Sequence, residues 1–434
     1  MIKRIEDLFL TLKGIYLYEF KIKNTPYSNS KSHEIYKYNQ LRKLLIESSK
    51  NVPYYKKLFS DIGFNPEKDF NKLEDLNKIP ILDKKVVREN PKLFYNSRIK
   101  KNLILHTSGS SGNPLKVKIS LGAWAVEQAV VWRHWKWAGY NFRDKMAIVR
   151  SYVPKEGKLI KKDKIRNFIY YSPFHLNDKN SEMYLNHMSS EKVKFLRGYP
   201  SSIKTLANFI INNNFTPPTL KSILVASERL SEQDKKTIEK AFSCTVYNHY
   251  GLADICVMMG SCEEGKGLHN YEDYGHLELL DFENRDCIID SDIKKIIGTN
   301  LHNLAMPLIR YNTDDLAEIS KENCSCPRTF PVIKNILGRN DAEIRTKEKY
   351  TIPTVNFYTL FEYYIEIEQW QIVQKSLDKV VVNIKVKESE SFIEKKLRED
   401  FKSRLPDSIE IKIRINKGFL KKNEGKIPTF VSEL

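Results

Sequence analysis

From Leu103 to Asn248 the chain alternates short β-rich runs with stretches of helical length. The runs are Leu103–His106, Met146–Val149, Lys194–Leu196, Ser222–Ala226 and Thr245–Asn248, and Ala123–Trp135, Ser201–Asn212 and Ser231–Phe242 carry the helical pattern. This order leaves few options. Two parallel strands need a crossover of a dozen or more residues, and a helix supplies it. The expectation is an α/β domain around parallel sheet. Residues 1–95 read as mainly helical, as in Tyr36–Glu47, with breaks at Pro53 and Pro80. After about Leu280 the pattern turns strand-rich. Residues 340–434 read as a compact α+β unit with a β-like run Lys379–Val386, a charged helix Ser389–Ser403 and a strand Ser408–Ile415. The expected organisation is a large domain, 1–339, and a small one, 340–434, joined near Gly338–Asp341.

Composition narrows the function. The formal net charge is +18, which raises two polyanion partners, nucleic acid and an anionic membrane. The lysines are dispersed, with short clusters such as Lys161-Lys162 and Lys421-Lys422 and no long basic tract. No zinc finger, basic zipper or other nucleic-acid motif is present, so a nucleic-acid-binding protein is the weakest reading. A positive field would still attract small anions. Charges run through the N-terminal segment and no apolar run is long enough to span a bilayer. The expected location is the cytoplasm, where the six cysteines stay reduced and a Cys-x-Cys pair suits a metal better than a disulfide.

The most informative segment is Leu103-Ile-Leu-His-Thr-Ser-Gly-Ser-Ser-Gly-Asn-Pro-Leu-Lys116. A strand enters a loop dense in glycine and hydroxyls. Gly109 and Gly112 permit backbone geometry that side chains would block. Main-chain N–H groups and the hydroxyls of Thr107, Ser108, Ser110 and Ser111 can then approach phosphate oxygens. It is not a Walker loop, which ends in Gly-Lys-Ser/Thr.

This loop resembles the phosphate loop of the adenylate-forming (ANL) superfamily, which holds the β- and γ-phosphates of ATP. Other matches follow in order. Tyr250-Gly-Leu-Ala-Asp254 resembles a Tyr-Gly-x-x-Glu motif, which implies Tyr250 near adenine and Asp254 as a Mg²⁺ ligand, one methylene shorter than usual. Arg310-Tyr-Asn-Thr-Asp-Asp-Leu316 resembles Arg-Tyr-x-Thr-Gly-Asp-Leu, casting Asp315 as partner of both ribose hydroxyls, with Asp314 in place of glycine. Gly338-Arg339-Asn-Asp341 resembles the hinge motif, so Arg339 reaches the nucleotide and Asp341 absorbs a domain rotation. Ala342 replaces the usual second acid. Glu424-Gly-Lys426 resembles the C-terminal motif whose lysine bridges the substrate carboxylate and the ATP α-phosphate. The fold implied is a large N-terminal α/β domain with a small mobile C-terminal α+β domain.

Phe195-Leu-Arg-Gly-Tyr-Pro-Ser-Ser-Ile203 and Ala226-Ser-Glu228 point to the phenylacetate–CoA ligase-like branch with its capsular-polysaccharide relatives, and place Glu228 beside adenine. His175 and Tyr199 are candidates for the acyl pocket. Trp124, Trp132 and Trp135 share roughly one helical face and read as core. Cys262, His269, Cys324 and Cys326 make a Cys₃His set suited to a structural zinc, and some phenylacetate–CoA-ligase-like proteins carry a similar arrangement.

The activity implied is ATP-dependent, AMP-forming activation of a carboxylic acid, then acyl transfer to coenzyme A. The acceptors left open are an amine in surface-polysaccharide assembly and a protein cysteine. A degenerate relative that only binds nucleotide is the further option, given Asp254 and Asp314.

Overall fold

The computed structural model describes residues 2–106, 115–154, 157–228, 230, 232–281, 292–320, 322–336, 343–348, 351–353, 357, 360–361, 364, 366–386, 391–420 and 430–434. The chain divides into two compact units. One draws on residues 1–107, 115–138 and 247–339, the other chiefly on 139–246 and 340–434.

The first unit opens with helices α1 (Ile2–Leu17), α2 (Ser30–Asn51), α3 (Pro53–Asp61), α4 (Pro66–Asp69) and α5 (Lys84–Glu89). Their starts are written in the sequence. Asn29, Asn65 and Asp83 each accept a hydrogen bond from a backbone N–H of the first turn, and Pro53 and Pro66 sit where a missing N–H costs nothing. Next come β1 (Asn102–His106), β2 (Lys116–Ser120) and α6 (Leu121–Trp137). Leu103–His106 was expected beside helices in a parallel sheet. Instead β1 pairs antiparallel with β2 as a separate two-stranded ribbon. Two strands nine residues apart have no room for a helical crossover.

The second unit carries β3 (Met146–Val149), β4 (Ile160–Asp163), β5 (Phe168–Tyr171), α7 (Asp178–Ser190), β6 (Phe195–Gly198), α8 (Pro200–Asn212), β7 (Ser222–Ala226) and α9 (Glu232–Phe242). The order β7-β6-β3-β5 is parallel throughout, and β4 closes it antiparallel to β5. This is the expected parallel sheet. Its core is Ala147, Val149, Leu196, Ile223 and Val225 against Leu185, Leu206 and Ile238 of the helices. Gly198 is obligatory: a Cβ there would lie 2.9 Å from the Val149 carbonyl oxygen.

β8 (Thr245–Gly251) leads back into the first unit, which adds β9 (Met258–Gly260), β10 (Leu268–Asn270), β11 (Gly275–Leu280), β12 (Ile293–Asn300), β13 (Tyr311–Ile319) and β14 (Val332–Ile336). Their order is β11-β12-β13-β14-β10-β9-β8, all antiparallel. Of the three tryptophans expected on the core face, Trp132 and Trp135 are buried, while Trp124 is partly buried and packs against the core. Arg133 is buried too. It forms a bidentate pair with Asp273, at 2.5 and 2.9 Å, and donates to Thr25.

The rest of the second unit holds β15 (Glu343–Arg345), β16 (Thr351–Pro353), β17 (Ile367–Ser376), β18 (Lys379–Val386), the helix Ser391–Lys402, β19 (Glu410–Ile415) and β20 (Phe430–Ser432). The sheet β19-β18-β17-β20 is mixed and packs Val380, Val382 and Ile384 against Leu397 and Phe401 of the helix. An α+β pattern was expected here.

One half-buried acid with a desolvated carboxyl gives a stability prediction. Glu127 of α6 accepts a hydrogen bond from the Tyr274 hydroxyl, and desolvation lifts its carboxyl to about 7. The folded-state value lies above the unfolded one, so the folded protein binds the extra proton between about pH 4.5 and 7. Stability is therefore greatest below that window and declines as pH rises through it, by up to about 3 kcal/mol. Glu127→Gln is expected to remove this slope in thermal melts and to gain most above pH 7.

Candidate active site

Two motifs 65 residues apart in sequence meet in the first unit: the Tyr250 hydroxyl donates to Asp315 Oδ2 at 2.8 Å. The local backbone explains how. Opposite β12 the pairing of β13 jumps from Leu316–Lys295 to Asn312–Ile297, so Thr313, Asp314 and Asp315 bulge out of the ladder. Bulges re-aim side chains, and this one turns Asp315 toward Tyr250. The Thr313 hydroxyl fixes the bulge by donating to the Ile296 carbonyl at 2.8 Å and accepting from the Asp315 N–H. Asp314 stands at φ +63. That is left-handed backbone, which explains a glycine at this place in the resembled motif and why a short polar residue can replace it.

Tyr250 lies in strand β8. The chain then turns so that Asp254 is buried, with its Oδ1 accepting from the Cys256 N–H at 3.4 Å. Burial pushes the Asp254 carboxyl up, and the cation of Lys84 opposes this.

Lys84 was not legible in the sequence. It is buried at the start of α5, donates to the Thr313 carbonyl at 3.2 Å and lies 3.6 Å from Asp314. Arg310 places it there. Its guanidinium grips Glu278 at 2.7 to 3.1 Å and the Ile79 carbonyl at 2.6 Å. Leu82 then bridges to β13 through the Arg310 carbonyl and the Asn312 N–H. The Arg310 side chain is thus committed to holding the backbone before α5. Lys84 thus lies against Asp314 and acts on the Asp254 carboxyl, while Tyr250 holds Asp315, and carboxylate oxygens of this kind suit a hard cation and hydroxyl groups.

In the second unit the candidates sit where the parallel strands end, the edge at which open α/β sheets bind ligands. Ser151 follows β3 and meets the Tyr199 hydroxyl at 2.7 Å. Arg150 lies over the Tyr199 ring at 5.2 Å and donates to Ser227 at 3.2 Å. Glu228 follows β7 and accepts from the Ser201 N–H at the start of α8, at 3.1 Å. A carboxylate there is favoured by the helix N-terminus. His175 ends the turn after β5, with Nδ1 against the Ser172 hydroxyl at 2.9 Å. Desolvation lowers its pKa, opposed by Asp407, so the ring is neutral near pH 7. Thr107, Ser108, Gly109, Ser110, Ser111, Gly112, Arg339, Asp341 and Lys426 lie outside the described residues.

The four metal-ligand candidates converge in the first unit. The ligand atoms of Cys262, His269, Cys324 and Cys326 all lie within 4.8 Å of one another. Cys262 Sγ is 3.5 Å from Cys324 Sγ, and Cys326 Sγ is 3.4 Å from His269 Nε2. Four ligands around a tetrahedral zinc are spaced by roughly 3.3–3.8 Å, so the set fits with small shifts. His269 Nδ1 faces the Phe330 carbonyl at 2.9 Å. That bond fixes the tautomer and leaves Nε2 as the ligand atom. Desolvation keeps the imidazole neutral and pushes the Cys262 thiol up to about 12. Arg328, paired with Glu263 at 2.8 Å and stacked over Trp137 at 4.2 Å, also reaches Cys326. Its charge would offset the net negative charge of three thiolates around a divalent ion.

No family model matches the chain. It is 25% identical over 342 residues to the protein CapK of Staphylococcus aureus, covering 75% of this chain and 73% of that one. It is 24% identical over 421 residues to the phenylacetate–coenzyme A ligase of Escherichia coli, covering 89% and 92%. Among solved structures it is similar to a 2-hydroxyisobutyryl-CoA ligase in complex with 2-HIB-AMP and CoA, with a TM-score of 0.61, 16% identity, and coverage of 95% and 92%.

Proposed function

We propose that this chain, a member of the adenylate-forming superfamily in its phenylacetate–CoA ligase-like branch, activates a carboxylic acid with ATP and transfers the acyl group to coenzyme A. The observation that supports this reading most is the Tyr250–Asp315 contact, which joins two of the resembled motifs beside Asp254.

Asp315 accepts the ribose hydroxyls, Tyr250 packs by adenine, and Glu228 takes the adenine edge. Asp254 supplies an oxygen ligand for Mg²⁺, which when bound offsets phosphate charge. Thr107, Ser108, Gly109, Ser110, Ser111 and Gly112 cradle the outer phosphates, with Arg339 on the nucleotide. In the first step a carboxylate oxygen bonds to the α-phosphorus and pyrophosphate leaves. Lys426 meets the charge that develops. The small domain, 340–434, then turns about Asp341, and the thiol sulfur attacks the acyl carbon as AMP departs. His175 and Tyr199 border the acyl group. Cys262, His269, Cys324 and Cys326 hold a structural zinc. Among the described residues no helix is long and apolar enough to cross a membrane. Cytoplasmic ATP and coenzyme A are the supplies this reading uses.

The test is a carboxylic-acid library screened for pyrophosphate release, with coenzyme A, with amines and with neither. AMP and pyrophosphate in equal amounts, plus a thioester with coenzyme A, are expected. Amide in place of thioester reassigns the acceptor, and release of ADP or of nothing refutes the reading. Asp315→Asn is expected to raise the KM for ATP about tenfold or more, because a charged acceptor of two hydroxyls is lost.

A further inference from the structure

Helix α1 continues into a π-helical turn, Tyr18–Ile22, and the two present two unlike faces. Leu10, Gly14, Tyr18 and Ile22 are buried at a spacing of four. Gly14 marks the close approach of α6, since a Cβ there would lie 2.8 Å from the Gln128 Cβ. That face is committed to the core.

The outer face is apolar as well. Leu12, Tyr16 and Phe20 repeat at the same spacing and are 52%, 56% and 70% exposed. The Tyr16 and Phe20 rings lie 4.9 Å apart, so they form one stripe and not scattered surface residues. Exposed lysines flank it: Lys13 three residues before Tyr16, Lys21 beside Phe20, and Lys23 three after Phe20 and paired with Glu19 at 3.1 Å. Aromatic rings bordered by long cationic side chains match the boundary between acyl chains and headgroups.

We propose that this face of residues 12–23 lies on an anionic lipid surface, parallel to it, with Leu12, Tyr16 and Phe20 inserted and the lysines among the headgroups. A second copy is the poorer occupant. The chain carries a net charge of +18, so two copies repel, whereas anionic headgroups attract. Among the described residues no helix is long and apolar enough to cross a bilayer. The proposal stands on α1 and the π-helical turn that follows it, and is independent of the ligase reading.

The test is cosedimentation of the full chain with phosphatidylcholine vesicles, plain or with about 30% phosphatidylglycerol. Binding to the anionic vesicles, weakened by salt, is expected. The double variant Tyr16→Ser/Phe20→Ser should lower the partition coefficient about tenfold or more. Lys13→Glu/Lys21→Glu should erase the preference for anionic over plain vesicles. Melting curves and pyrophosphate release in solution report whether the variants fold, and both should be unchanged. No binding by the parent chain, or equal binding by parent and Tyr16→Ser/Phe20→Ser, overturns the proposal. So does a dimer in light scattering that Tyr16→Ser/Phe20→Ser dissociates, which would make a second copy the occupant.

Discussion

Replacing Lys426 with alanine is expected to slow acyl-adenylate formation by roughly 10²–10³-fold, the cost of removing one preorganised charge from a developing oxyanion. Transfer of the acyl group from synthetic acyl-AMP to coenzyme A should change far less. The asymmetry follows from where charge builds and where Lys426 then lies. In the first step an anionic carboxylate attacks an anionic phosphate, and charge builds on the α-phosphoryl oxygens and on pyrophosphate. A cation held between them acts most strongly at that moment. In the second step the thiol sulfur attacks the acyl carbon and the acyl–oxygen bond to AMP breaks. Charge then develops on the departing AMP, but in the proposed cycle the small domain has already turned and carried Lys426 away, so its loss is felt far less. Rapid-quench pyrophosphate release measures the first step, and thioester formation from acyl-AMP measures the second. Lys421→Ala/Lys422→Ala controls for a general loss of positive field. Equal losses in both half-reactions would remove Lys426 from this role.

How much of this was legible depended on whether a feature is local. Met146–Val149, Ser222–Ala226 and Lys379–Val386 were readable to the residue, because buried β-branched runs bounded by turns have few other uses. Tyr250 was recognisable as part of a motif but not as strand, since the ladder that extends β8 to Gly251 comes from β9. The hairpin β1–β2 was misread because its partner lies across a glycine loop that also suits a strand-to-helix turn. The Cys₃His set was visible because cysteine and histidine are scarce in this chain. Lys84 was invisible. One lysine among many becomes special only when Arg310, more than two hundred residues later, clamps the backbone before α5. The stripe on α1 was hidden for the opposite reason: an apolar residue every fourth position reads as core, and only the packing on α6 reveals that α1 has two such faces.

The second large effect concerns the proposed zinc. Removing zinc with a strong chelator, or changing Cys324 or Cys262 to serine, is expected to lower the melting temperature by about 10 °C or more, since metal binding to such a set is itself folding free energy. The geometry gives the reason. Cys262 follows β9, His269 lies in β10, and Cys324 and Cys326 lie between β13 and β14, so one ion would join three parts of the antiparallel sheet. Without an ion the same place holds three crowded thiols, an imidazole of lowered basicity and the Arg328 guanidinium, an arrangement that burial penalises. Elemental analysis should find about one zinc per chain, lost in both variants. Cys244→Ser is the control, because that thiol lies by the second unit's core and its loss should leave the metal content unchanged. A chain purified without metal, whose melting temperature neither added zinc nor Cys324→Ser shifts, would mean that these four side chains meet for packing alone.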